Sequence, residues 1–165
     1  SGMGTTSVCA VVKGNEVHLA NVGDSRAYVI SDDEIRPVTK DHSYVQALVD
    51  EGKITQAEAR EHPKKNIITK AVGISPSVEA DKSILTLGSD ESLLLCCDGV
   101  IAHLTDEDIH KIINDSPDPQ SACQKIVDTA NERGGSDNIS LIILSAGGPD
   151  TKENESDDSP TVINS

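Results

Sequence analysis

Apolar residues in this chain gather in short runs separated by turn residues, a pattern typical of a β-rich domain. The strongest run covers residues 93–97, five apolar residues in a row between Ser92 and Asp98. Because this run does not alternate and is short for a helix, it predicts a buried strand. Asp98 then ends the strand and faces either solvent or a cation, since a carboxylate buried without a partner is costly. Gly99 permits a sharp turn or a close approach to a ligand.

The first forty residues contain short strand-like runs at residues 5–12, 17–22, 26–30 and 34–38. Gly14 and Asn15, between the first two runs, are a good signal for a hairpin turn. Gly23, Asp24 and Ser25 form a compact turn sequence before the third run. We therefore expect an antiparallel meander in this part of the chain.

The middle of the chain changes to a helical pattern. Ser43 predicts the cap of a helix that ends at Gly52, and Thr55 with Glu58 fits the capping box of a second, polar helix to about Glu61. Strands are predicted again over residues 66–72 and 78–87.

Helices follow the buried run at 93–97. Thr105 predicts the cap of an acid-rich helix, and Ser116 with Pro117 predicts the start of another that ends at the Gly134-Gly135 pair. A last strand is predicted over residues 139–144. The pattern indicates an α+β domain with a mainly antiparallel sheet over residues 1–147 and an acidic disordered tail or linker over 148–165.

Composition narrows the function classes. The 165 residues carry a net charge of −14, with no Phe, no Trp and two Tyr. An acidic chain with few aromatic rings is unsuited to binding nucleic acid through phosphate neutralisation and base stacking. It suits a cation binder, a protein with a basic peptide partner, or an ordinary solvated surface. No apolar run approaches the roughly 18 to 20 residues of a membrane helix, so membrane insertion is not expected.

The four cysteines are Cys9, Cys96, Cys97 and Cys123. They follow apolar patterns and show no metal-type spacing, which predicts free, buried thiols in a reducing cytoplasm. Cys96 and Cys97 are neighbours on a predicted strand and should point to opposite faces, so they should not pair with each other.

Three carboxylates stand at strand boundaries beside Gly or Asn: Asp24, Asp98 and Asp137. Hard cations such as Mg²⁺ and Mn²⁺ take oxygen ligands from a few rigidly held carboxylates. If the strands next to Asp98 and Asp137 are neighbours in one sheet, these two carboxylates converge. The competing interpretation is that acids beside Gly and Asn merely end strands, as turn chemistry favours. Zinc-ligand spacing, a nucleophilic serine elbow and phosphate-binding glycine loops are absent from the sequence.

The motifs of the chain, taken in order, closely resemble the metal-dependent serine/threonine protein phosphatases of the 2C type, the bacterial branch most of all. The resemblance runs from Gly2 to about Leu144 and rests on Met3-Gly4-Thr5-Thr6, Ala20-Asn21-Val22-Gly23-Asp24-Ser25-Arg26-Ala27, Lys40-Asp41-His42-Ser43, the segment from His62 to Gly73, Leu94-Leu95-Cys96-Cys97-Asp98-Gly99 and Gly134-Gly135-Ser136-Asp137-Asn138-Ile139.

This resemblance implies an antiparallel β-sandwich of two sheets flanked by helices. It also implies hydrolysis of phosphoserine or phosphothreonine by water activated at a Mn²⁺ or Mg²⁺ pair. Asp98 and Asp137 match ligands of that pair, and Asp24 matches the acid that with Asp98 holds a third, weaker ion in many members. Residues from about His42 to His62 match a variable flap beside the active site. Phosphorylated proteins are the implied substrates and a serine/threonine kinase is an implied partner.

The N-terminal portion of the family pattern has no counterpart in this sequence. Family members begin upstream of the Met-Gly-Thr-Thr motif with a phosphate-binding Arg and an Asp-Gly whose Asp bridges both metals. Here Asp98-Gly99 is the sole Asp-Gly pair. We expect an N-terminally truncated piece of a phosphatase, inactive alone, with exposed strand edges that favour a homodimer. The alternatives are a catalytically dead relative serving as a binding or regulatory module, and a cation-binding module of other ancestry.

Overall fold

The computed structural model describes residues 2–145 and 163–164. Along these residues the chain forms, in order, β1 (Ser7–Lys13), β2 (Glu16–Val22), β3 (Arg26–Ile30), β4 (Ile35–Pro37), α1 (Tyr44–Asp50), α2 (Gln56–Glu61), β5 (Asp81–Thr86), β6 (Ser92–Cys96), α3 (Asp98–Ile101), α4 (Asp106–Asn114), α5 (Pro119–Glu132), β7 (Ser140–Ser145) and β8 (Ile163–Asn164).

The strands form two antiparallel sheets. One has the order β1-β2-β5 and the other the order β4-β3-β6-β7-β8. Every strand pair described is antiparallel. The predicted α+β fold with an antiparallel β-sandwich and flanking helices is therefore confirmed.

The expected meander is wrong at its centre. β1 and β2 form the predicted hairpin around residues 14–15, but β2 then pairs with β5 and β3 pairs with β6 in the other sheet. The chain changes sheets at residues 23–25, where Gly23 takes a φ of 112° that favours glycine. Hydrophobic periodicity predicts strands but not which sheet each one joins, so this crossing is not visible in the pattern.

The predicted buried strand is β6, and its unbroken apolar run has a structural reason. Leu93 and Leu95 pack between the two sheets in one hydrophobic cluster, whereas Leu94 and Cys96 pack on the other face with residues of α4 and α5. Successive side chains of a strand point to opposite faces, so a strand buried on both faces needs apolar residues at every position. β6 therefore contributes side chains to both hydrophobic cores, one from each of its faces.

The predicted helix caps are largely confirmed. Ser43 caps α1 by accepting the backbone N–H of Gln46, and capping boxes begin α2 at Thr55 and α4 at Thr105. α5 starts two residues later than predicted, with Asp118 as its cap and Pro119 as its first residue. An Asp side chain that accepts a backbone N–H is as good a cap as Ser, and either proline suits a first helical turn.

Two further strand predictions need correction. Residues 66–72 form no strand and make only the isolated bridges Ser43 with Ile68 and Thr5 with Val72. The strand predicted over 78–87 is β5, which is shorter. Both segments contain β-branched residues, but backbone partners, which a sequence pattern does not show, decide where a strand forms.

All four cysteines are free, as predicted, but they are not all buried. Cys96 and Cys123 are buried, Cys97 is half-buried and Cys9 is exposed on the outer face of β1. Among residues 2–145 and 163–164, no helix has the length and apolar character needed to cross a membrane. The predicted disordered tail over 148–165 lies outside the described residues, apart from residues 163–164 in β8.

Candidate metal and phosphate site

One edge of the five-stranded sheet gathers the three predicted carboxylates. Asp24 stands shortly before β3, Asp98 begins α3 after a single residue beyond the end of β6, and Asp137 stands shortly before β7. Arg26 pairs with Cys96, and Cys96 pairs with Leu141, so the start of β3, the end of β6 and the start of β7 meet at the same edge. The condition stated for the sequence, that the strands beside Asp98 and Asp137 are neighbours in one sheet, is met because β6 pairs with β7.

The chain segments that carry Asp98 and Asp137 are in close backbone contact. A Cβ at Gly99 would lie 2.2 Å from the carbonyl oxygen of Asn138, so a glycine is needed there. Cys97 donates its backbone N–H to the carbonyl of Ser140 at 3.1 Å and its thiol to that of Asn138 at 3.3 Å. The backbone on either side of the two carboxylates is therefore fixed.

The turn that carries Asp24 is held from two sides. A Cβ at Gly23 would lie 2.3 Å from Cγ2 of Thr6, so Thr6, the residue before β1, packs directly against the turn. On the other side, His42 Nδ1 accepts the backbone N–H of Gly23 at 2.9 Å, and His42 Nε2 lies 3.1 Å from Asp81 Oδ2. Because Nδ1 accepts, Nε2 carries the ring proton and faces the carboxylate.

The electrostatics of the edge favour a cation. Burial raises the pKa of Asp24 above its ordinary value, and the charges of Asp98 and Asp41 raise it further, while Arg26 opposes them. A positive charge placed between Asp24 and Asp98 would relieve the repulsion that helps to raise the pKa of Asp24. Asp98 and Asp137 are exposed at the surface, so such an ion would be accessible from solvent.

The donor chemistry fits a hard divalent cation, since all three groups are carboxylates. The number of donors is insufficient for a complete site. Within residues 2–145 and 163–164, no three His, Cys, Asp or Glu side chains lie close enough together to hold one ion. The charge of Asp98 raises the pKa of Asp24. Asp137 is connected to Asp98 indirectly, because the neighbouring residues Asn138 and Cys97 are in contact.

A cavity of about 660 Å³ opens beside this edge and includes Asp98 in its wall. A polar side-chain network runs along its wall from β3 to α2, which with α1 forms the predicted flap. Arg26 pairs with Asp41 and donates to the Tyr28 hydroxyl at 3.0 Å, Tyr28 donates to Asp106 at 3.4 Å, and Arg60 of α2 lies 3.5 Å from the same Asp106 oxygen.

Two side chains of this polar network, Arg26 and Tyr28, have strongly shifted pKa values. Burial alone would lower the pKa of Arg26, but the hydrogen bonds and charges of Asp41 and Tyr28 raise it above its ordinary value. Burial raises the pKa of the Tyr28 hydroxyl, which is completely buried, and the Arg26 charge opposes that rise. Arg26 therefore stays charged and Tyr28 stays neutral at physiological pH.

The two sheets form an antiparallel sandwich with an acidic edge, and this is the fold that the resemblance to metal-dependent phosphatases implies. Comparison with known proteins agrees: the Protein phosphatase 2C family profile matches residues 1–48 and 53–139. The chain belongs to this family.

Individual relatives extend the comparison. The chain is 35% identical over 144 residues to the serine/threonine phosphatase stp of Listeria innocua, covering 87% of this chain and 57% of the relative. The crystal structure of serine/threonine phosphatase Stp1 from Staphylococcus aureus superposes with a TM-score of 0.86 at 39% identity, covering 89% of this chain and 58% of that one. The catalytic domain of PstP in complex with two manganese ions gives a TM-score of 0.77 at 33% identity, covering 86% and 58%. The chain thus spans less than two thirds of the length of these relatives.

The candidate residues of the sequence analysis are brought to one edge, and their role as metal ligands stays a prediction. The sequence did not predict the polar side-chain network that joins Arg26, Tyr28 and Asp106. Arg26 and Asp41 each belong to a recognised motif, so their pairing had a weak signal. Tyr28 and Asp106 had none, because their contact joins residues far apart in the sequence.

Proposed function

We propose that this chain is part of a protein serine/threonine phosphatase that hydrolyses phosphoserine and phosphothreonine in protein substrates. One observation carries the proposal: in a chain of the Protein phosphatase 2C family, Asp24, Asp98 and Asp137 stand at one sheet edge, where burial and the charge of Asp98 raise the pKa of Asp24. That edge borders the cavity beside the flap helices, which is large enough for a phosphorylated side chain.

We propose Mn²⁺ or Mg²⁺ as the cofactor, with Asp98 and Asp137 as ligands of a catalytic pair and Asp24 as a ligand, with Asp98, of a third ion. When bound, such ions lower the pKa of water and stabilise charge on the phosphoryl oxygens. The residues of this chain contribute by holding the three carboxylates in position. The backbone contacts around Gly99 hold the Asp98 and Asp137 segments together, and the His42 contact holds the turn of Asp24.

The incomplete donor set favours a specific form of this proposal. Ions held by one or two carboxylates bind weakly and without fixed geometry. We therefore propose that the isolated chain turns over poorly, and that full activity needs further carboxylates from a segment outside this sequence. The second candidate is a binding or regulatory module that keeps the fold without catalysis, which the same donor count supports.

The test is hydrolysis of a phosphothreonine peptide with Mn²⁺, by the chain alone and by the chain fused to the N-terminal segment of a longer relative. Asp98→Asn and Asp137→Asn should abolish activity in whichever form shows it. Asp32→Asn is the matched control, because Asp32 follows β3 at the opposite edge of the same sheet. Activity that survives both site substitutions, or that is absent from both forms, contradicts the phosphatase proposal, and absence leaves the binding module.

A homodimer is proposed from the first sheet. β1 ends the order β1-β2-β5, so its outer edge has backbone groups without a strand partner in the described chain. Beside that edge Val11 is 67% exposed, and Ile84, two strands away in the same row, is 65% exposed. Open edges with apolar neighbours favour pairing with a second copy. Sedimentation velocity should show a dimer that Val11→Lys dissociates and Lys82→Gln does not; a monomer at all concentrations contradicts it.

We also propose a signalling role in the cytoplasm with a serine/threonine kinase as partner. A phosphatase of this type acts on phosphoproteins, and a kinase must make them. The four free cysteines suit a reducing compartment. Fractionation of cells of the source organism, with and without a kinase deletion, checks both the compartment and the pairing.

A further inference from the structure

The loop that carries Asp137 begins with two hydrogen bonds to the end of α5, from the Gly134 N–H to the Asn131 carbonyl at 3.1 Å and from the Gly135 N–H to the Ala130 carbonyl at 3.2 Å. It runs from the end of α5 to β7, and Gly134 and Gly135 take φ values of 135° and 48°. Asp137 is exposed, and its Oδ1 accepts the neighbouring backbone N–H of Asn138 at 2.7 Å. Glycine permits more backbone conformations than other residues, so a contact from outside the loop beyond Gly135 helps to fix the position of Asp137.

His103 supplies such a contact. Its Nε2 lies 3.2 Å from Ser136 Oγ and accepts the backbone N–H of Ser136 at 3.4 Å. A backbone N–H can only donate, so Nε2 is the unprotonated nitrogen and Nδ1 carries the ring proton. A Cβ at Gly134 would lie 3.4 Å from Cε1 of His103, so the glycine allows the imidazole to pack against the loop.

His103 is itself held in place. Arg133, at the end of α5, donates to the His103 carbonyl at 3.1 Å and pairs with Asp108 of α4. Asp108 accepts the backbone N–H of Thr105 at 3.0 Å. Leu104, the next residue, is buried in the core beside α3. The imidazole therefore extends from a fixed backbone and not from a free loop.

These contacts close a ring around the site. Asp98 begins α3 and His103 follows shortly after its end, with the Ala102 backbone N–H donating to the Asp98 carbonyl at 2.8 Å. On one side the Asp98 segment meets the Asp137 segment through Cys97 and Asn138, and on the other side through His103 and Ser136. Asp137 therefore stands between two contacts with the Asp98 segment, one at Ser136 and one at Asn138.

We infer that His103 is a positioning residue for Asp137, acting through Ser136 to hold the loop of residues 134–138 against the Asp98 segment. The inference deepens the proposed function, because an ordered Asp137 matters most where it shares a cation with Asp98. In this role His103 acts through Ser136 and not as a ligand of the cation. This positioning role requires only a hydrogen-bond acceptor at the place that Nε2 of His103 occupies.

The experiment compares His103→Ala with His103→Gln in the full chain, because a glutamine side-chain oxygen can accept from Ser136 as Nε2 does. His18→Ala is the matched control, since His18 is exposed on β2 and contacts only Glu16 among the polar partners described. Amide hydrogen exchange at Ser136 and Asp137 is measured without metal. Broadening of the Gly99 and Asn138 amide signals by added Mn²⁺ is measured separately, with the melting temperature of each variant.

We expect exchange at Ser136 to be about 3- to 10-fold faster in His103→Ala, as the loss of one hydrogen bond predicts, and restored to within about twofold by His103→Gln. Mn²⁺ broadening should require several-fold more metal in His103→Ala and the wild-type amount in His103→Gln. Unchanged exchange in His103→Ala, or no rescue by glutamine, overturns the inference. If wild-type chain shows no Mn²⁺ broadening, the proposed metal site fails, and the exchange data still decide whether His103 holds the loop.

Discussion

The guanidinium of Arg26 contacts the carboxylate of Asp41 at two points, with Nε 2.8 Å from Oδ1 and Nη2 2.7 Å from Oδ2. Both side chains are mostly buried, with 26% and 12% of their surfaces exposed. The pair joins β3 to the segment that leads into the flap helices, next to the turn of Asp24. A two-point pair of this kind fixes direction as well as distance.

We expect Asp41→Asn to lower the free energy of unfolding by about 3 kcal/mol, because it leaves a largely buried arginine without its counter-charge. Glu34→Gln is the control, since Glu34 lies 3.9 Å from Arg36 and both are well exposed. That change should stay within about 0.5 kcal/mol. Urea denaturation measures both, and equal effects would show that the Arg26 pair contributes no more than an ordinary surface contact.

Gly99→Ala should disrupt the contact between the Asp98 and Asp137 segments. The added methyl would meet the Asn138 carbonyl oxygen at 2.2 Å and its carbon at 3.1 Å, both backbone atoms that cannot rotate away. We expect a loss of about 2 kcal/mol or more, although alanine favours a helix such as α3 over glycine.

Gly52→Ala is the comparison for this change. Its φ of 67° strains any other residue, but an added methyl meets no atom within 4 Å. The loss should be close to about 1 kcal/mol, from backbone strain alone. If Gly99→Ala were as stable as the wild type, the backbone around the candidate site would have to be looser than the structure shows.

The sequence predicted the layers of the fold better than their connections. The unbroken run of β6 identified the strand shared by both cores, and the capping boxes at Thr55 and Thr105 placed two helices. These signals are local, so they survive without knowledge of the rest of the chain. The change of sheet after β2 depends on partners distant in sequence, and it was missed for that reason.

The candidate site shows the same difference between local features, which the sequence predicts, and long-range contacts, which it does not. Asp98 and Asp137 could be identified because each lies beside a strand end, and strand ends are visible in the pattern. Ile67 and Ile68 suggested a strand, yet they are 47% and 39% exposed in a loop beside the flap. The contact of His103 with Ser136 spans 33 residues and has no local signature.

Asp24→Asn should stabilise the metal-free chain at neutral pH. The pKa of Asp24 is raised above its ordinary value of 3.8, first by burial and then by the charge of Asp98. The folded state therefore binds this proton more tightly than the unfolded state, and stability is lost as pH rises through the raised pKa. Melting in a chelating buffer should show the variant more stable at neutral pH, with the difference vanishing below pH 3.8.

Asp108→Asn is the control for Asp24→Asn, with the opposite pH dependence in the same domain. The hydrogen bond from Arg133, followed by that from the Thr105 backbone, holds the pKa of Asp108 well below its ordinary value. Its charge therefore stabilises the fold above that ordinary value and loses this effect on acidification. The variant should be less stable than the wild type at neutral pH. The same pH dependence in both variants would contradict the assignment of Asp24 to a repulsive acidic edge.

Added Mn²⁺ should reverse the effect of Asp24→Asn. A divalent cation relieves the repulsion between Asp24 and Asp98, so it raises the melting temperature of the wild type in proportion to the logarithm of its concentration. Asp24→Asn and Asp98→Asn should gain less from the metal. Asp32→Asn, at the far edge of the sheet, should gain as much as the wild type. An equal gain in all of the variants would mean that the metal binds elsewhere.

The pair between Arg60 and Asp106 should control local opening of the flap. Arg60 is on α2 and lies 3.5 Å from Asp106 at the start of α4, with 54% and 29% of their side chains exposed. An exposed pair of this kind contributes at most about 1 kcal/mol, so Arg60→Gln should speed tryptic cleavage after Lys53 by no more than about fivefold. Global stability should change by less than about 0.5 kcal/mol. Arg36→Gln, on β4, is the control and should leave the cleavage rate unchanged; an equal acceleration in both variants would mean that the pair does not restrain α2.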